Sequence, residues 1–201
     1  MSKVILDPQP REIEDIFSSS TKIALSSLHR VIEFDGEDRL SFYNEHIEDT
    51  DFIIGQPDLD ASLIERSKKL KAVFNVEGNF MPNIDYAACH LKGIRVLTPS
   101  SVFAVPVAEL AIGMMISLAR GIHTAHGDFL NGKELYGLEG NTESELISGT
   151  EIGFIGFGDL GKAIYPLIQG FRPTIRVFDP WLTSSYLLRE GVLPASLEEV
   201  L

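Results

Sequence analysis

Glu151-Ile152-Gly153-Phe154-Ile155-Gly156-Phe157-Gly158-Asp159-Leu160-Gly161 decides how the second half of the chain is read. A short apolar strand, Ile152 to Ile155, runs into a G-x-G-x-x-G loop. Lys162 to Ile168 continues in helical spacing, with Pro166 expected to bend or shorten that helix. A second strand, Thr174 to Phe178, ends at Asp179, about 18 residues beyond Gly161. Each part has a physical task. Gly156 permits the tight turn, Gly158 lets a pyrophosphate approach the backbone, and Gly161 lets helix and strand pack closely. The helix N-terminus offers N–H groups and partial positive charge to phosphates. Asp179 is placed to accept hydrogen bonds from both ribose hydroxyls and to repel a 2′-phosphate, so NAD is expected over NADP. Asp159 sets an anion where phosphates are expected, and weaker binding follows than with a basic residue there.

The whole chain has 201 residues, 17 Lys+Arg against 29 Asp+Glu, and a formal charge of −12. That length buries a sizeable core, and 44% hydrophobic with 23% charged residues is ordinary globular composition. An acidic surface repels phosphate backbones, so nucleic acid and anionic membranes are not expected as partners. The one cysteine, Cys89, cannot form an internal disulfide. Met1 to Leu6 lacks the pattern of a signal peptide, and the apolar run Leu110–Ala119 is too short for a bilayer. A cytoplasmic protein is the expectation.

Before the glycine loop, strands alternate with helical stretches. Val4–Leu6, Arg30–Phe34, Asp51–Gly55, Leu70–Val76 and Gly93–Leu97 read as strands, with helices near 11–18, 38–48, 60–68 and 84–91. Strands separated by helix-length segments imply right-handed crossovers and a parallel sheet. Val105 to Arg120 is apolar around its whole circumference. Such a helix must be covered on most sides, between domains or subunits or within one core. From His123 to Thr150 the chain turns polar and glycine-containing and reads as a connector.

With these segments in order, the chain resembles the D-isomer-specific 2-hydroxyacid dehydrogenases. Leu70-Lys71-Ala72-Val73, then Asn83-Ile84-Asp85-Tyr86-Ala87-Ala88, is similar to the stretches around that family's substrate loop. Gly93-Ile94-Arg95-Val96, Pro106 to Arg120, Leu146-Ile147-Ser148-Gly149-Thr150, the glycine loop and Val177-Phe178-Asp179-Pro180 follow in the family's order. The likeness is clear from about residue 50 and topological before it. It implies an α/β protein: a flavodoxin-like substrate domain, residues 1–103, followed by the first half of a Rossmann NAD-binding domain, residues 104–201. It also implies hydride transfer between NAD and a small 2-hydroxy or 2-oxo acid, and homodimers formed through the cofactor domain and helix 105–120. Gly156, Gly158, Asp159, Leu160, Gly161 and Asp179 take the dinucleotide positions. Gly78, Asn79 and Phe80 lie where the family presents backbone N–H groups to the substrate carboxylate. Phe80, Met81 and Pro82 depart from the usual small, glycine-rich loop. Pro106 stands where a cofactor-contacting Ser or Thr is common.

The same resemblance places a substrate-binding Arg and a Glu–His proton-transfer pair later in the family's order than Leu201. His29, His46, His90, His123 and His126 all precede the glycine loop, so no residue here is assigned to catalysis. His123 and His126 read as a solvated helix end rather than a metal pair, and Cys89 as a small buried hydrophobe. Two readings follow: an NAD-dependent oxidoreductase represented by a piece expected to be inactive alone, or a short form that binds NAD without catalysis. Reading residues 1–100 as a receiver module would rest on Asp7 or Asp51 and lacks a matching cluster of strand-end aspartates and Lys.

Overall fold

Lys3-Val4-Ile5-Leu6-Asp7 is buried at every position, as expected of a strand covered on both faces of a parallel sheet. In a computed structural model, which describes residues 1–201, this strand (β1, Lys3–Asp7) lies inside a five-stranded parallel sheet. Its companions are β2 (Arg30–Glu33), β3 (Phe52–Gly55), β4 (Ala72–Phe74) and β5 (Arg95–Leu97), in the order β2-β1-β3-β4-β5. This flavodoxin-like order reverses between β1 and β3, and the carboxyl ends of those two strands flank the switch point where open α/β sheets bind ligands.

The connecting helices are α1 (Ile13–Ile16), α2 (Ser19–Leu28), α3 (Arg39–His46), α4 (Ala61–Arg66) and α5 (Tyr86–Leu91). Aspartates start three of them: Asp38, Asp60 and Asp85 accept from the N–H groups of Ser41, Leu63 and Ala88. Each satisfies an N–H that has no intrahelical acceptor. Ile5, Tyr43, Ile47, Ile53, Ile64 and Val73 form the core of this unit, joined by Cys89. The helix read near 11–18 proves to be the single turn α1, followed by the ten-residue α2. Ser18 breaks the run by capping α2 through Thr21 N–H.

The chain folds as two compact units, Met1–Ser100 and Ser101–Leu201. In the second, β6 (Glu151–Ile155), β7 (Thr174–Phe178) and β8 (Leu193–Pro194) form a parallel sheet in the order β6-β7-β8. The third strand was not foreseen, since two residues are too few to show an alternation. Helices α6 (Ser100–Ala119), α7 (Ile122–Leu130), α8 (Asp159–Ile168), α9 (Ser184–Arg189) and α10 (Leu197–Val200) complete the unit. The stretch read as a polar connector thus begins with a helix. Helix α8 carries Pro166 and ends two residues later, tightening into a 3₁₀ turn at Gln169–Phe171.

Helix α6 departs most from expectation. It starts earlier than the apolar run suggested and spans 20 residues, enough by length and composition to cross a bilayer. Ile112 and Met115 pack against the second unit's core of Phe157, Ile168, Ile175 and Val177. Only Ala104 and Ala108 are buried, and Leu110, Met114 and Leu118 stay open to solvent.

Candidate functional site

The glycine loop of the second unit is built from main-chain contacts. Gly156 has φ +89°, a conformation that glycine adopts without a Cβ penalty. Its N–H donates to the Phe178 carbonyl at 2.7 Å, tying the end of β6 to the end of β7. Phe157, at the second position of the motif, buries its ring edge-on to Tyr165 of α8 with centroids 6.0 Å apart. Gly161 is where helix and loop touch: a Cβ there would lie 3.2 Å from both the Gly156 carbonyl oxygen and the Phe157 ring. At Gly158, the N-cap of α8, a Cβ would meet nothing within 4 Å.

Asp179, at the carboxyl end of β7, reaches back to this loop. Its Oδ2 accepts from Phe157 N–H at 2.8 Å, and its Oδ1 accepts from Trp181 N–H at 2.8 Å and Leu182 N–H at 3.0 Å. Burial pushes this carboxyl upward, but the hydrogen bonds from Phe157, Trp181 and Leu182 together bring it below the ordinary aspartate value. A carboxylate offers roughly four acceptor positions, so three bonds leave room for one direct bond from a ribose hydroxyl, not the expected two. Asp159 and Leu160 are exposed in the first turn of α8. There an acidic side chain interacts favourably with the helix dipole, which accounts for Asp159 beside an anion site. Open space over Gly158, first-turn N–H groups with no intrahelical acceptor and the spare acceptor position on Asp179 together fit a dinucleotide.

A second constellation lies in the first unit, at the switch point. Asp7 is completely buried; Arg39 meets its Oδ1 at 2.9 Å and the Tyr43 hydroxyl donates to its Oδ2 at 3.0 Å. Burial, and then the Asp7 charge, push the Tyr43 phenol well above its ordinary value, so it stays a donor. Gly55 lets β3 approach: a Cβ there would lie 1.9 Å from the Asp7 carbonyl oxygen. The next residue, Gln56, takes the Glu77 N–H at 3.4 Å and donates to Asn83 at 3.3 Å, fastening loop 76–83 to the end of β3. Arg11 closes the rim through Glu77, at 2.8 and 3.1 Å. Of these residues Arg39, Gln56, Glu77 and Asn83 line a cleft of about 710 Å³.

Gly78 and Asn79 line that cleft. Phe80 does not: its ring stands edge-on to Tyr86 at 5.5 Å, and its N–H donates to Asn79 Oδ1 at 2.9 Å. None of the five histidines lines the cleft. Cys89 is buried, and burial raises its thiol above the ordinary value. Asp51 pairs with Lys71 at 2.8 Å. The Asp7–Arg39–Tyr43 cluster and the Gln56 clasp carry no local sequence signal, because their members come from separate strands and helices.

A parallel strand–loop–helix–strand unit with a glycine turn and an aspartate after the second strand defines a Rossmann-type dinucleotide-binding domain. Residues 112–201 match the sequence model described as D-isomer specific 2-hydroxyacid dehydrogenase, NAD binding domain. A hydroxypyruvate reductase of Thermotoga maritima is 33% identical over 156 residues, covering 72% of this chain and 49% of that protein. A D-3-phosphoglycerate dehydrogenase of Methanocaldococcus jannaschii is 29% identical, covering 74% of this chain and 28% of that protein. Among solved structures, a phosphoglycerate oxidoreductase from Rhizobium etli superposes with a TM-score of 0.83 at 45% identity, covering 100% of this chain and 63% of that one. The chain belongs to the D-isomer specific 2-hydroxyacid dehydrogenase family. It spans about half the length of the first of these curated relatives and less of the second.

Proposed function

We propose that this chain is the substrate-cleft and cofactor-loop portion of an NAD-dependent oxidoreductase that acts on the CH–OH group of a D-2-hydroxy acid, or reduces the 2-oxo acid. The observation that carries this reading is the Asp179 carboxylate bonded to the Phe157 N–H of the glycine loop, beside the open space over Gly158. The loop and the α8 N-terminus hold the pyrophosphate, and Asp179 takes a ribose hydroxyl. When bound, NAD supplies the hydride acceptor. Gly78 and Asn79 offer backbone N–H groups to the acid's carboxylate. Titration calorimetry with NAD and NADP tests the cofactor assignment: NAD should bind at least tenfold tighter, because a 2′-phosphate meets the Asp179 charge. Equal affinities would contradict it.

With no histidine in the cleft to exchange the hydroxyl proton, the 201-residue chain by itself should not oxidise NADH with any 2-oxo acid at a rate above background. Sustained NADH oxidation would sink this part of the reading. NAD binding without turnover is also what a non-catalytic short form would show. A second copy of the chain is the proposed cover for α6 and α7, whose exposed Leu110, Met114, Leu118, Phe129 and Leu130 form more apolar surface than solvent favours. Sedimentation should give a dimer, and a Leu110→Arg, Met114→Glu double variant a monomer; a monomeric parent chain would remove the proposal.

A further inference from the structure

The charges around the first-unit cleft are arranged in a way that speaks to what lies at the far end of the acid. One guanidinium, Arg39, lines it and a second, Arg11, is joined to it through Glu77; each is paired with a carboxylate. Arg39 meets the fully buried Asp7 at 2.9 Å and also donates to Gln9 at 3.3 Å, while its Nε is buried with no hydrogen-bond partner. Arg11 holds both oxygens of Glu77. Asp58 adds a further carboxylate to the lining. In the lining Asp58 and Glu77 stand against Arg39, and behind it Asp7 and Arg11 add one charge of each sign, so one net negative charge remains. Apart from Arg39, the polar side chains of the lining are carboxylates and amides: Gln9, Gln56, Asn79 and Asn83 with Asp58 and Glu77. The amides donate and accept and so serve a hydroxyl or a phosphate alike, whereas the carboxylates receive hydroxyl protons and repel a group that brings two negative charges.

We infer that this cleft selects a short 2-hydroxy or 2-oxo acid whose far end is uncharged and carries a hydroxyl, and that it excludes the corresponding phosphate monoester. The inference rests on the proposed dehydrogenase reading and deepens it. It also separates this chain from the phosphoglycerate-named relatives, whose substrate carries a phosphate by name. Exclusion is electrostatic: a phosphate brings two more negative charges to a lining that already carries one, and drawing Arg11 or Arg39 toward it exposes the carboxylate that each now neutralises. The buried Asp7 makes release of Arg39 the costlier of the two. The Arg11–Glu77 pair is partly exposed on both sides, so Glu77 is where the selectivity can be changed without opening the core.

The test compares D-glycerate with D-3-phosphoglycerate, which differ only in that phosphate, by amide NMR titration of the 201-residue chain. D-Glycerate should move the Gly78, Asn79 and Gln56 resonances in the millimolar range, and D-3-phosphoglycerate should need at least tenfold more. In Glu77→Gln, one carboxylate is gone and Arg11 is released, so the ratio should shrink to below about threefold. Phosphoglycerate titrating the cleft as well as glycerate would overturn the inference. So would an unchanged ratio in Glu77→Gln, or no shift in the cleft with either acid. Adding NAD to the same samples reads the other unit independently: if the Gly156–Gly161 resonances stay still, it is the dehydrogenase reading that fails, whichever acid occupies the cleft.

Discussion

Replacing Gly158 by alanine separates the ligand's need for space from the fold's. Gly158 has φ −79° and ψ −153°, an extended conformation open to any L-residue, and a Cβ there meets no atom within 4 Å. The fold therefore gives up little. Alanine is a poorer N-cap than glycine, by about 0.5–1 kcal/mol, while the stiffer unfolded chain returns about 0.4–1 kcal/mol. Net stability should stay within about 0.5 kcal/mol, or roughly 2 °C for a chain of this size. A pyrophosphate passing over Gly158 has no such freedom. The methyl occupies the space between phosphate and backbone, and a tenfold loss of NAD affinity, about 1.4 kcal/mol, is the minimum expected. Gly161→Ala should behave in the opposite sense. Its Cβ lies 3.2 Å from the Gly156 carbonyl, which cannot rotate away, so stability should fall by about 1–3 kcal/mol. Calorimetry with NAD and urea unfolding on the same preparations measure both effects. Should Gly158→Ala keep its NAD affinity within threefold, or lose stability as Gly161→Ala does, the ligand does not cross the backbone there.

Trp181, the one tryptophan in the chain, is 90% exposed two residues beyond Asp179. NAD should therefore quench the intrinsic fluorescence, and the same titration of Asp179→Ala should show that quench displaced to at least tenfold higher concentration; identical curves would remove Asp179 from the site. Tyr43→Phe deprives the buried Asp7 carboxylate of one of its two side-chain donors and should cost about 1–3 kcal/mol in urea unfolding; a change below 0.5 kcal/mol, on the same order-of-magnitude scale, would show that Arg39 alone suffices. Acid should unfold the chain. The carboxyls of Asp38, Asp51, Asp60 and Asp179 are all depressed in the folded state, so the unfolded chain binds more protons as pH falls. Stability from these groups is complete above the unfolded value near pH 4 and is lost below it, and a urea midpoint that did not fall between pH 5 and pH 3 would contradict that sign. Finally, raising salt from about 50 to about 500 mM, which shortens the Debye length roughly threefold, should change NAD affinity by less than about threefold; a steep loss would mean that a cation, not the loop, holds the phosphates.

How much of this was legible depends on how far apart in sequence the cooperating residues stand. The glycine loop was readable because turn, helix start and strand end follow one another, and each glycine marks a local backbone demand. The five strands of the first unit were readable for the same reason, as apolar runs ended by Asp, Pro or Gly. Helix α2 was missed because its serines and threonine resemble a loop until Ser18 is seen to cap it. Strand β8 is too short to carry a period. The clasp of Gln56 on Glu77 and Asn83, and the burial of Asp7 under Arg39 and Tyr43, depend on three strand ends converging at the switch point. No spacing within the chain announces that convergence. Phe80 was placed by resemblance among the N–H groups for the substrate, whereas here its N–H is taken by Asn79, a competition that only the loop's own geometry reveals.

The two sites also differ in how they manage charge, and that difference explains how so acidic a chain can hold an anionic cofactor. Around the glycine loop the nearest acidic side chains are Asp159 and Asp179, and Lys162, one turn into α8, lies over the Tyr186 ring at 5.1 Å. Attraction for a pyrophosphate therefore comes from oriented N–H groups and the helix end, neutral dipoles that carry no counterions to release. Screening such dipoles weakens them slightly, while screening a net charge of −12 relieves repulsion of the incoming anion. The two effects oppose each other, hence the flat salt dependence expected for NAD. In the first unit the logic is reversed: full charges are present, but Asp7 and Glu77 hold the guanidinium groups of Arg39 and Arg11, and the cleft keeps a negative balance. One carboxylate is tolerated there because backbone N–H groups of Gly78 and Asn79 are proposed to receive it. A second anionic group meets that negative balance, and selectivity against phosphate follows from the charge of the lining rather than from any dedicated residue.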